Sequence, residues 1–133
     1  MTERGQYSSV VLDYFNGPRH AGDPDPDAGH IVRASVSAGG AGPRITLTGA
    51  ASDRGEWTQL NWRVFGCPHT MAAAEAACRR FTGAKTTAPA EFAFVELVEE
   101  LGIPIEKTGR VLLVEDAFRA LDAARAAALE NTT

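Results

Sequence analysis

Trp62-Arg63-Val64-Phe65-Gly66-Cys67-Pro68-His69-Thr70 is the stretch on which the fold turns. Its first half alternates like a strand and ends at Phe65. Gly66 lets the chain turn, and a helical pattern starts near His69 or Thr70. The thiol of Cys67 therefore stands at the mouth of a helix. Unpaired backbone N–H groups point outward there, and the helix dipole favours thiolate over thiol. A thiolate is the form that binds soft metals or carries sulfur.

Upstream of this turn, apolar residues at Tyr7, Val10, Val11, Tyr14 and Phe15 recur at helical spacing over 7–15. Asn16-Gly17-Pro18 stops that helix. Arg19 to Gly29 reads as a loop, because the prolines of Asp23-Pro24-Asp25-Pro26-Asp27 remove donors and restrain the residues before them. Ile31–Ser37, Arg44–Thr48 and Glu56–Phe65 are strand candidates joined by a Gly-rich connection (39–43) and a Ser52-Asp53-Arg54-Gly55 turn. Short turns between consecutive strands imply an antiparallel meander.

Downstream, Thr70–Phe81 is an Ala-rich helix that Gly83 can cap. Ala90–Leu101 is a second helix, ending at Gly102 with Pro104 beyond. Gly109 or Arg110 to Leu129 is a third, with Leu112, Leu113, Ala117, Leu121 and Ala124 on one face. The order is an N-terminal helix, three strands and three helices. It predicts an α+β domain spanning residues 1–133, its helices packed over one face of the sheet.

The chain's 133 residues, 44% of them hydrophobic, suit one globular core. A net charge of −4 without any basic block argues against nucleic-acid binding. No apolar run is long enough for a bilayer, and residues 1–6 lack the apolar core of a signal peptide, so a cytoplasmic location is expected. Two cysteines make no disulfide framework. A Gly-x-Ser-x-Gly elbow, a phosphate-binding loop, CxxC and HExxH are all absent, and no catalytic pair stands out, so an enzyme is not expected.

Candidate ligands can be weighed by geometry. Cys78 follows Cys67 by eleven residues along the same helix. At about 1.5 Å per residue they stand roughly 16 Å apart, too far for one metal with thiolate bonds of about 2.3 Å. Cys78 reads as a buried small hydrophobe. His69 could join Cys67 in a metal pair or simply face solvent beside the helix start. His20 and His30, with Asp23, Asp25 and Asp27, could hold a divalent ion or form a solvated loop.

Two segments, and a weaker third, resemble the iron–sulfur cluster scaffold family, the IscU proteins and the N-terminal domain of NifU. The first is Tyr7-Ser8 followed by a helix and Asn16-Gly17-Pro18-Arg19-His20-Ala21-Gly22, similar to the family's Tyr-Ser opening and Asn-Pro-Arg-Asn turn. The second is Phe65-Gly66-Cys67 opening a helix of small residues. The third is Gly102-Ile103-Pro104 through Leu113-Val114-Glu115-Asp116-Ala117, similar to a Leu-Pro-Pro-Val-Lys segment before a helix with Ala-Glu-Asp-Ala. The resemblance implies iron or an iron–sulfur cluster as cargo; zinc is the other metal that Cys67 and His69 could take. It also implies a cysteine desulfurase and acceptor apoproteins as partners.

The family's first cysteine and its Asp fall on Ala38-Gly39-Gly40-Ala41, and its last His-Cys pair on Gly109 and Arg110. Of the three ligand cysteines, Cys67 alone is kept. The chaperone-recognition segment becomes Ile103-Pro104-Ile105-Glu106-Lys107. The resemblance sets Arg110 in the old ligand pocket, where a guanidinium would favour thiolate and repel an iron cation. Cys67, His69 and Arg110 are therefore the candidate site residues. Three readings follow: a divergent scaffold that binds iron or a cluster weakly or across a homodimer, a single-cysteine persulfide carrier, and a docking module that keeps the fold without the chemistry.

Overall fold

Alternating side chains build the sheet. Strands β1 (His30–Ser37), β2 (Arg44–Ala51) and β3 (Trp57–Phe65) form an antiparallel meander in the order β1-β2-β3. In this computed structural model residues 9–17, 19–39, 42–54, 56–82 and 95–131 are described. The rows Val36–Ile45–Val64, Ala34–Leu47–Trp62 and Val32–Gly49–Leu60 run across the strands and turn toward the core. The intervening rows, Ser35–Thr46–Arg63 and Arg33–Thr48–Asn61, face the other way.

β2 runs three residues beyond the expected Thr48. Gly49, Ala50 and Ala51, outside the expected strand, pair with β1 and β3, with an irregularity between Ala50 and Ala51. Gly49 is needed here because the buried Trp57 ring lies against the strand at that position. A Cβ on Gly49 would sit 2.4 Å from Trp57 Cζ3.

Helices α1 (Ser9–Asn16), α2 (Pro68–Phe81), α3 (Val95–Leu101) and α4 (Thr108–Asn131) complete the fold, with a short 3-10 turn at Ile105–Lys107 before α4. α2 covers β3, and α4 covers β1 and β2. α1 leans on α2, while α3 packs against α2 and α4. One apolar cluster joins the layers, with Leu47, Trp57, Leu60, Leu97, Phe118 and Leu121 almost fully buried. The α+β expectation, with helices on one sheet face, holds.

Helix ends differ from expectation in small ways with local causes. α2 starts at Pro68, two residues before the expected Thr70, because proline suits a first turn whose N–H has no intrahelical partner. Its other end is closed by Thr82, whose backbone N–H and hydroxyl both donate to the Cys78 carbonyl; the expected Gly83 cap lies outside the described residues. The expected start of the second C-terminal helix at Ala90 also lies outside them. α3 ends as expected at Leu101. Gly102 adopts φ +65°, its N–H donates to Glu99 O, and Ile103 N–H donates to Val98 O, which together satisfy the last carbonyls.

The segment read as a loop covers an edge. Trp62 N–H donates to His20 O and Gly22 N–H to Trp62 O, a single parallel bridge centred on Ala21. Asp23 then accepts two hydrogen bonds from Arg63. The open side of β3 is thereby blunted. No helix among the described residues is long and apolar enough to cross a membrane.

Candidate functional site

β3 ends at Phe65, Gly66 turns the chain, and Cys67 is the N-cap of α2 in an extended conformation (φ −91°, ψ 166°). Its carbonyl accepts the Thr70 and Met71 N–H groups, so the first turn is anchored by the backbone of the cysteine itself. The side chain does not cap the helix, which leaves the half-buried thiol with Thr70 Oγ1 at 3.6 Å. Burial pushes the Cys67 thiol up. The Thr70 hydroxyl, the nearby Thr70 and His69 amides and the Arg110 charge outweigh it and hold the thiol below an ordinary cysteine.

An open cavity of about 410 Å³ is lined by Ala38, Pro43, Glu106, Gly109, Arg110 and Leu113; Cys67 is not in its wall, but Arg110 is, and the Arg110 charge acts on the thiol. Pro43 also closes on the turn before the cysteine, since a Cβ on Gly66 would lie 3.1 Å from Pro43 Cβ. The end of β1, the start of β2, the turn into α2 and the first turn of α4 thus meet at one end of the sheet. The segments predicted to correspond to the family's ligand loops do converge, with Ala38, Gly109 and Arg110 around one space; Gly40 and Ala41 lie outside the described residues. Arg110 is half-buried, and its side chain makes no hydrogen bond or ion pair among the described residues; nor does the side chain of the exposed Glu106. Phe65 and Ile105 project at this end, 75% and 89% exposed.

His69 is only 3% exposed, so it does not face solvent beside the helix start. α2 lies flat on β3 and carries its first turn into the core with it. Among the described residues no three His, Cys, Asp or Glu side chains converge as a metal centre. Cys78 is fully buried, and burial, with the Glu75 charge adding to it, pushes its thiol well up, so it stays protonated. His30 pairs with Asp53 through Nε2 at 2.7 Å, and His20 Nδ1 lies 2.8 Å from Leu60 O. The two histidines thus serve different parts of the fold, and Asp23 is engaged by Arg63.

The sequence reading missed Glu75. It is fully buried in α2 and gathers several donors. His20 N–H and Trp62 Nε1–H donate to Oε1, each at 2.9 Å, and Arg79 Nε donates to Oε2 at 2.7 Å. Burial pushes the carboxyl up, but these bonds and the Arg19 amide outweigh it and hold it below the ordinary carboxylate range. Arg79 continues to Gly17 O and stacks over Tyr14 at 4.4 Å. One carboxylate therefore ties α1, the 19–22 segment and β3 to the helix that begins at Cys67. The signal was present: a lone acid inside Ala72-Ala73-Ala74-Glu75-Ala76-Ala77.

The chain and its architecture match known proteins. Residues 6–128 match the family model of the NifU-like N-terminal domain. The chain is 27% identical over 114 residues to the iron–sulfur cluster assembly scaffold protein IscU of Rickettsia prowazekii, covering 86% of this chain and 87% of that protein. It is 25% identical over the same length to the IscU of Escherichia coli K12, covering 86% and 89%. Among solved structures, the N-terminal NifU-like protein of Brucella abortus superposes with a TM-score of 0.66 at 18% identity over the whole of both chains. A putative iron–sulfur cluster assembly scaffold protein for the SUF system from Fervidobacterium islandicum superposes with a TM-score of 0.58 at 14% identity, covering 92% and 98%. With the family model spanning nearly its full length, the chain belongs to the NifU-like N-terminal domain family.

Proposed function

We propose that this protein serves iron–sulfur cluster assembly as a scaffold-like member in which Cys67 receives sulfane sulfur from a cysteine desulfurase, with acceptor apoproteins downstream. The observation that carries the reading is the pairing of a thiol disposed to ionise with a guanidinium that makes no ion pair among the described residues, at the same end of the sheet. The thiolate is the nucleophile that takes a sulfur atom, and the adjacent cation stabilises the resulting anion.

Iron or a cluster is cargo here, and a single chain is poorly equipped for it. A two-iron cluster needs four ligands, usually thiolates, and the described residues offer one accessible thiol and a repelling cation. His69 would have to leave the core to join it, and zinc faces the same shortage of donors. A second reading, a cluster held between two copies, is favoured by the exposed Phe65 beside the cysteine, an apolar side chain suited to a contact.

The deciding experiment incubates the chain with a cysteine desulfurase and L-cysteine under anaerobic conditions, with and without ferrous iron, and follows intact mass and visible absorption. The expected result is a gain of one sulfur on Cys67, absent in Cys67→Ser, with no chromophore. A chromophore that vanishes in Cys67→Ser would replace this reading with the two-copy scaffold. Neither signal would leave a docking module.

A further inference from the structure

The cavity that Arg110 shares with the surroundings of Cys67 carries two opposite charges, neither of them paired among the described residues. Glu106 lies in the 3-10 turn and Arg110 in the first turn of α4, one turn further along the chain, and both line the space. No salt bridge joins them. The remaining walls, Ala38, Pro43, Gly109 and Leu113, are apolar or bare. The volume of about 410 Å³ falls at the small end of ordinary ligand sites, roughly 300–1,000 Å³, and apolar walls with a few fixed polar groups are their usual make-up.

The charges narrow what could fit. A metal cation is repelled by Arg110. A phosphate or sulfate gains Arg110 but meets Glu106. A ligand with a carboxylate and an ammonium on one carbon satisfies both, the guanidinium forming a charge-assisted bond to the carboxylate and Glu106 accepting from the ammonium. Arg110 on the wall acts on the Cys67 thiol, and Pro43 on the wall closes on Gly66 before it, so the useful ligand is one whose far end can reach that thiol and exchange sulfur with it.

We propose that the cavity binds the head group of a small α-amino-acid thiol such as cysteine, with Arg110 on its carboxylate and Glu106 on its ammonium, and that this thiol removes sulfane sulfur from Cys67. The inference rests on Cys67 being a sulfur acceptor and adds a small-molecule exit for the sulfur. The bound thiolate attacks the outer sulfur of the Cys67 persulfide. A new S–S bond forms as the old one breaks, and Cys67 leaves as thiolate. R–S⁻ and Cys67–S–SH become R–S–SH and Cys67–S⁻, the proton staying on the transferred sulfur, with no outside oxidant or reductant.

The test loads the full chain with inorganic polysulfide and confirms the added sulfur on Cys67 by peptide mass. The loaded protein is then discharged with L-cysteine, with cysteamine, which lacks the carboxylate, or with 3-mercaptopropionate, which lacks the ammonium, at equal thiolate concentrations. L-cysteine is expected to discharge Cys67 about tenfold faster than either, the usual worth of one charge-assisted bond. Arg110→Gln should erase the advantage over cysteamine and Glu106→Gln the advantage over 3-mercaptopropionate. Ratios between thiols are compared within each variant, so a change in Cys67 reactivity itself cancels. Equal rates for the three thiols on the wild-type chain would overturn the cavity assignment alone. A chain that polysulfide cannot load at Cys67 would overturn the sulfur-acceptor reading, and this inference with it.

Discussion

The indole N–H of Trp62 donates to the carboxylate of Glu75 at 2.9 Å inside the core, joining the middle of β3 to the middle of α2. A buried carboxylate is costly unless its oxygens are satisfied, and here Trp62, His20 and Arg79 satisfy both. Trp62→Phe keeps the ring but removes the donor, and should cost about 1–3 kcal/mol. Glu75→Gln turns one oxygen into an amide that meets Arg79 donor to donor, with a loss of about the same size. Urea unfolding followed by circular dichroism measures both; midpoints that coincide with wild type would remove Glu75 from the account of stability.

The same carboxylate makes stability depend on acid. Its folded pKa lies below the unfolded value, so the unfolded state binds more protons across the interval between them, and stability rises with pH there. The contribution is complete above the unfolded carboxylate value of about 4.3 and fades as pH falls through the folded one. Wild type should therefore lose more stability than Glu75→Gln between pH 6 and pH 3, about those limits being set by the carboxylate range. Parallel losses in the two proteins would place the acid sensitivity elsewhere.

Cys67 should alkylate faster at neutral pH than an unperturbed cysteine, whose pKa is about 8.5, while Cys78 should stay inert until the protein unfolds. Thr70→Val removes the hydroxyl near the sulfur, and Arg110→Gln removes the cation. Each loss disfavours thiolate, raises the pKa and slows alkylation at pH 7, by about two- to tenfold for shifts of up to one unit. Iodoacetamide rates against pH, read by mass, give the curve for each. A Cys67 curve that neither variant moves would assign its ionisation to the backbone amides of α2 alone.

Much of this could be seen in the sequence because the strongest signals were local. Alternation across Trp57–Phe65 and the Gly66-Cys67-Pro68 turn determine where strand gives way to helix, and both follow from near neighbours. The meeting of Ala38, Gly109 and Arg110 around one cavity came from the family resemblance, since no periodicity relates residues so far apart in the chain. Glu75 escaped notice because its partners, His20 and Trp62, come from other elements. The burial of His69 was hidden for a similar reason: which face of the first turn of α2 meets β3 is a matter of packing. The last residues of β2 fall outside the expected strand because Gly49, Ala50 and Ala51 carry little strand signal, and Gly49 lacks a side chain where a ring contributed by the next strand lies against it.

That ring gives a last test of the sheet. The Trp57 side chain is fully buried against Gly49, with the Arg125 guanidinium over the ring at 5.0 Å from its centroid. Gly49→Ala puts a methyl group where two ring atoms lie, at 2.4 Å and 2.7 Å, and backbone pairing on both sides of β2 prevents the strand from stepping away. The loss should be about 1–3 kcal/mol, the usual cost of overpacking a core. Trp57→Leu alone should also destabilise by leaving a cavity. The double variant should lose less than the sum of the two, because the leucine vacates the space that the new methyl group needs. Urea midpoints for the four proteins complete the cycle. Strict additivity would mean that the strand relaxes around the methyl group and that the glycine answers some other requirement of β2.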